Sequence, residues 1–190
     1  MNSGEKIVRR KAKRDELDFY PTPEWATRAL LNREKFEGVI CEPACGNGAM
    51  SKVLESYGYQ VISSDIVDRG YGVTQNFFDH YRSVENIVTN PPFNLAKEFI
   101  LHAKECATRK IAIFFRIQFL SSRGRYDLFA DAGFPLQTVY VFSPRVTLWK
   151  NGVVGRGGGT ADYIWVVFNR EYRLLPVLRW INPAERKERC

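Results

Sequence analysis

The chain has no Cys-x-x-Cys pair and only two histidines, His80 and His102, so the ligand spacings of metal sites are missing. Cys41, Cys45, Cys106 and Cys190 therefore read as reduced thiols, as in a cytosolic protein. No apolar run reaches membrane-spanning length, and the basic cluster from Lys6 to Arg14 opens onto no apolar stretch of the kind a secretory leader needs. The expectation is a soluble, cytoplasmic protein that uses neither metal nor membrane. Internal repeats are lacking, as is any Ser-His-Asp or Cys-His grouping suited to nucleophilic catalysis. At 190 residues the chain has room for one domain with a sizeable core.

What is present begins with charge. Lys and Arg number 28 against 21 acidic residues, a net charge of +7 with the excess near the N-terminus and again after residue 145. Such a balance points to a polyanionic partner. Residues 1–18 are charged and aperiodic and read as a mobile basic arm, 19–175 as one domain, and 176–190, which holds Pro183, as a tail without a clear pattern. Within the domain the spacing predicts a helix over about 23–35, with Thr22 as N-cap, Pro23 in the first turn and Trp25, Ala26, Ala29 and Leu30 on its apolar stripe. Val39, Ile40 and Cys41 form a strand, and Met50, Val53, Leu54 and Tyr57 recur at helical spacing after it. Strands follow over 61–65 and 86–89, then a helix carrying Leu95, Phe99, Ala103 and Cys106. The unalternating run 111–115 is how a strand covered on both faces reads. Tyr126, Leu128, Phe129 and Ala132 mark another helix, and strands over 139–142 and 163–168 are expected to pair antiparallel. Strands alternating with helices imply a doubly wound, mostly parallel, Rossmann-like α/β sheet with an antiparallel strand near the C-terminus.

Three segments carry chemistry. Glu42-Pro43-Ala44-Cys45-Gly46-Asn47-Gly48 is a glycine loop between strand and helix, where Gly46 and Gly48 would let the backbone approach a ligand closely. A carboxylate at Glu42 suits the ammonium and sulfonium of S-adenosylmethionine better than it suits a pyrophosphate. Asp65 ends the next strand, where an acid receives ribose hydroxyls. Asn90-Pro91-Pro92-Phe93 follows the strand after that. The Asn90 side-chain oxygen and the Pro91 carbonyl can accept the two hydrogens of an exocyclic amino group, favouring a pyramidal nitrogen with a free lone pair, while Phe93 offers a flat face for a base. Open α/β sheets bind ligands at the carboxyl ends of their strands, which would bring Glu42, Asp65 and Asn90 to one crevice.

With these residues in place, most of 18–170 resembles the S-adenosylmethionine-dependent DNA adenine-N6 methyltransferases, particularly the short forms of bacteriophages and prophages. Asp18-Phe19-Tyr20-Pro21-Thr22-Pro23 is similar to that family's N-terminal cofactor motif, adding Tyr20 and Thr22 to the cofactor residues. Glu42 to Gly48 is similar to its glycine loop, Asp65 to its ribose acid and Asn90 to Phe93 to its catalytic motif. Two positions depart from the pattern. Ala44 stands where glycine is common, and Asn76 ahead of Phe77 stands where an acid commonly meets the cofactor's adenine, a part Asp79 could take instead. The resemblance implies the class I methyltransferase fold, a double-stranded DNA substrate and direct in-line displacement of a methyl group onto a flipped adenine, by a monomer or homodimer in a bacterial or phage-infected cell. Stacking on Phe93, worth about 1 to 3 kcal/mol, roughly offsets an extrusion cost of a few kcal/mol. Backbone contacts must then supply affinity.

Arg145, Lys150 and Arg156, set among the glycines of 145–159, make the best DNA-facing loop; it lacks the ending of a phosphate-binding P-loop. The chain has no length for a separate target-recognition domain, which implies a short or loosely read site. The alternatives are adenine methylation in RNA, methylation of a glutamine amide, for which Tyr is usual in place of Phe93, and a catalytically silent nucleic-acid-binding protein on the same fold.

Overall fold

The computed structural model describes residues 19–80, 83–154 and 161–187. The basic arm expected over 1–18 lies outside them. Eight strands form one sheet in the order β3-β2-β1-β4-β5-β7-β6-β8, with β1 Ile40–Glu42, β2 Val61–Asp65, β3 Val73–Thr74, β4 Val84–Thr89, β5 Ala107–Arg116, β6 Leu136–Phe142, β7 Tyr163–Asn169 and β8 Val177–Ile181. Neighbours pair parallel from β3 to β5 and between β6 and β8, and β7 alone runs against the rest, between β5 and β6. The helices are α1 Glu24–Leu31, α2 Ala49–Ser56, α3 Phe77–His80, α4 Ala96–Cys106 and α5 Tyr126–Ala130.

The unalternating apolar run resolves into two cores. Ile111, Ile113 and Phe115 of β5 point into one, shared with Phe77, Phe99, Ala103 and Leu128. Ala112 and Phe114 point into the other, shared with Ala26, Leu30, Met50, Val53 and Leu54. Every one of these side chains is buried, so β5 is apolar on both faces because helices cover both.

The first helix ends at Leu31, earlier than the pattern suggests, because Glu34 turns inward. Its carboxylate is buried and accepts hydrogen bonds from Tyr140 Oη (2.8 Å), Gln137 Nε2 (3.2 Å) and Lys110 Nζ (2.8 Å). Trp165 Nε1 donates to the Ala26 carbonyl (2.8 Å), fixing α1 across the sheet. Trp25 packs edge-on against Phe142, as its place on the apolar stripe suggests. The tail supplies β8, which joins the sheet edge beside β6, with Leu178 opposite Val139 and Trp180 opposite Val141. No helix among the described residues is long and apolar enough to cross a membrane.

Candidate active site

The carboxyl ends of β1, β2, β4 and β5 open onto a cavity of about 310 Å³, and Glu42, Asp65 and Asn90 meet on its wall as the topology requires. Glu42 ends β1 at the buried base of the cavity. It accepts a hydrogen bond from Ser51 Oγ, which also lies 2.7 Å from Ser63 Oγ. Burial pushes the carboxyl up to about 8, with Ser51 opposing the shift. A buried acid with one hydroxyl donor is poised to hold a cation and is otherwise inclined to keep its proton.

Asp65 clasps the glycine loop. One carboxylate oxygen accepts the Gly46 N–H (2.8 Å) and the other the Val67 N–H (2.9 Å), while the side chain still lines the cavity. Gly46 and Gly48 have φ of 55° and 78°, a region that favours glycine. Neither of them lines the cavity. A side-chain carbon at Gly46 would clash with the Phe19 ring, 2.1 Å from its nearest atom, and one at Gly48 with the Tyr71 ring at 2.5 Å. Both glycines thus sit under aromatic rings, and the loop meets the cavity through Pro43, Ala44 and Cys45.

Phe19, Tyr20, Pro21 and Thr22 form a strap along the cavity. Arg69 stacks on the Phe19 ring, 4.7 Å from its centroid, and the Phe19 carbonyl accepts the Asn151 N–H at 2.6 Å. Thr22 does not cap the first helix. Pro23 holds the cap position without a side-chain bond, because the buried Thr22 hydroxyl is taken by Asn90.

Asn90 Nδ2 donates to Thr22 Oγ1 (2.9 Å) and to the Tyr20 carbonyl (3.1 Å), so both amide hydrogens are held by the strap and Oδ1 is left as the open acceptor. The Pro92 carbonyl accepts the Leu95 N–H (2.9 Å) in a 3₁₀ turn, whereas that of Pro91 accepts no hydrogen bond among the described residues. Phe93 is half-buried, with Tyr163 at 5.9 Å and the Arg116 guanidinium 5.0 Å from its ring centroid.

Asn76 lines the cavity and caps α3, accepting the Phe78 N–H (3.2 Å) and donating to Asp79 (2.9 Å). Asp79 is exposed and lies outside the lining, so its part is to hold Asn76. Phe77 is buried and stacked on Phe99 (5.0 Å), reaching the wall as part of an aromatic group with Phe78 and Phe99. Of the basic loop, Arg145 lies 3.6 Å from Asp162, Lys150 opens the 3₁₀ turn Lys150–Gly152 that carries Asn151, and Arg156 lies outside the described residues. Arg145 and Lys150 do not line the cavity. Sequence reasoning missed Ser51, Phe19 as a packing ring, and Arg116. Arg116 had a signal: it ends the apolar run at the carboxyl end of a central strand, where ligands of open sheets bind.

No protein-family model matches the chain, and no curated protein sequence does. Solved structures do. A candidate RNA methyltransferase from Pyrococcus horikoshii is 15% identical with a TM-score of 0.62, covering 81% of this chain and 87% of its own. The fold is that of the class I methyltransferases. Magnesium protoporphyrin IX methyltransferase from Synechocystis PCC 6803, solved with bound S-adenosylmethionine, shares this methyltransferase fold at 18% identity and a TM-score of 0.54, over 77% of this chain and 76% of its own. So does a modification subunit of a candidate type I restriction enzyme from Vibrio vulnificus YJ016, at 14% identity and a TM-score of 0.57, over 94% of this chain and 50% of its own.

Proposed function

We propose that the chain is a DNA methyltransferase that moves a methyl group from S-adenosylmethionine to the N6 amino group of a flipped adenine by in-line displacement. The observation that carries this reading is the state of Asn90. With both amide hydrogens bound by the strap, its oxygen is fixed as an acceptor beside the open Pro91 carbonyl. Two acceptors and an adjacent flat ring fit an aromatic amine and would be wasted on a hydroxyl or carboxylate substrate.

The cavity fits S-adenosylmethionine. Glu42 would face its cationic end, Asp65 its ribose, and Asn76 with Phe78 and Phe99 its adenine. When bound, that group supplies an electrophilic methyl. The protein's own contribution is positioning: Asn90 and Pro91 hold the amino group and favour its attacking geometry, and Phe93 supports the base. The amino proton leaves to solvent afterwards. The net charge of +7 and the basic loop at Arg145 and Lys150 support a nucleic-acid substrate.

The test is transfer of labelled methyl to unmethylated duplex DNA, single-stranded DNA and total RNA in parallel, read by nucleoside mass spectrometry. N6-methyladenine in DNA is expected, and Asn90→Ala should abolish it while leaving cofactor affinity nearly intact. Label in RNA alone would move the substrate to RNA and keep the site. Equal loss of turnover and cofactor affinity in Asn90→Ala would make Asn90 structural.

A further inference from the structure

Arg116 occupies the face that Phe93 would offer a base. Three rings lead to it: Phe114 stacks on Tyr163 at 5.0 Å and 10°, Tyr163 leans on Phe93 at 5.9 Å, and the guanidinium ends the series 5.0 Å from the Phe93 centroid. Arg116 is exposed at the end of β5, in register with Tyr163, whose phenol feels its charge. Among the described residues no carboxylate lies within ion-pair distance of it, whereas Arg28, Arg33, Arg109 and Arg145 each have one. A planar cation resting on a ring face has its ionic capacity unspent.

We infer that Arg116 is a positioning residue that covers Phe93 until the target base arrives, then moves to the phosphate beside the extruded nucleotide. The inference rests on the DNA reading above. The exchange runs downhill. A cation over an exposed ring is worth roughly a two- to fivefold factor in an equilibrium, and a charge-assisted hydrogen bond to phosphate roughly tenfold or more. The displaced ring contact is replaced by base stacking, so each partner leaves for a stronger one. Its placement also separates the charges of the site, since Glu42 lies buried at the end of β1 while Arg116 stands in solvent at the end of β5.

The experiment measures binding of a fluorescein-labelled DNA duplex, with adenines opposite abasic sites so that extrusion costs little, to wild type, Arg116→Ala and Arg116→Lys across a salt series. Arg116→Ala should bind about tenfold more weakly, and its slope of log affinity against log salt should be shallower by about one, the signature of one lost phosphate contact. Arg116→Lys should keep the wild-type slope, and both variants should keep the wild-type S-adenosylmethionine affinity and melt within about 4 °C of wild type. An unchanged slope in Arg116→Ala overturns the inference, whether or not affinity falls. If wild type binds and methylates DNA with that result, only Arg116 loses its part. If wild type binds no DNA at all, the DNA reading falls and this one with it.

Discussion

Glu42 shows how far one side chain can be taken. In an unfolded chain its carboxyl would titrate in the ordinary range near 4.5, and in the fold burial moves it to about 8. Between those values the folded state keeps a proton that the unfolded state has lost, so this residue's contribution to stability declines as pH rises through the window. Glu42→Gln removes the dependence while keeping a hydrogen-bonding partner for Ser51. Melting temperatures of the two proteins should converge below about pH 4.5 and separate in favour of the variant up to about pH 8; parallel curves would place an ionised Glu42 in the free protein. The same residue measures what the sequence reveals. Glu42, Asp65 and Asn90 could be picked out because each is a polar group at the end of an apolar strand. Arg116 obeys the same rule, yet an arginine closing a strand also reads as the place where burial stops. The glycines of the loop were legible as backbone requirements, but the Phe19 and Tyr71 rings above them come from segments that no local pattern connects to the loop.

At the scale of elements, the strap joins two jobs that the sequence keeps apart. Phe19 packs on the glycine loop and Thr22, three residues on, orients the Asn90 amide. Thr22→Val keeps the buried shape and deletes one acceptor. It should lower kcat about three- to tenfold, the worth of one hydrogen bond, with S-adenosylmethionine affinity unchanged. Thr22→Ser should restore the rate, and an unaltered kcat in Thr22→Val would leave Asn90 oriented by the Tyr20 carbonyl alone. Helix-start chemistry assigned Thr22 to a cap because the Thr-Pro order satisfies that rule locally; the competing donor, Asn90, is distant in sequence. The parallel strands were legible as apolar runs. β8 was not, since four of its five residues are exposed and only Ile181 is buried. β3, two residues long at the opposite edge, carries no pattern at all.

The whole molecule is a sheet whose cavity lies at the strand ends and the connections that follow them, and two of the loops there are stitched together. The Asn151 N–H, in the basic loop proposed to face DNA, donates to the carbonyl of Phe19, in the strap over the cofactor cavity. One backbone hydrogen bond thus spans the boundary between the two substrates. A polymer resting on that loop would bear on the strap, and through it on the departure of a bound cofactor. S-adenosylmethionine should therefore dissociate more slowly from the ternary complex than from the binary one, which stopped-flow chase with unlabelled cofactor would measure; equal rates would mean that the bond transmits nothing. The consequence lies in the order of events. The chain would load its methyl donor first, meet DNA second, and let go of the DNA before it could reload, so that each landing on the polymer leaves a single mark and neighbouring sites are modified by separate visits.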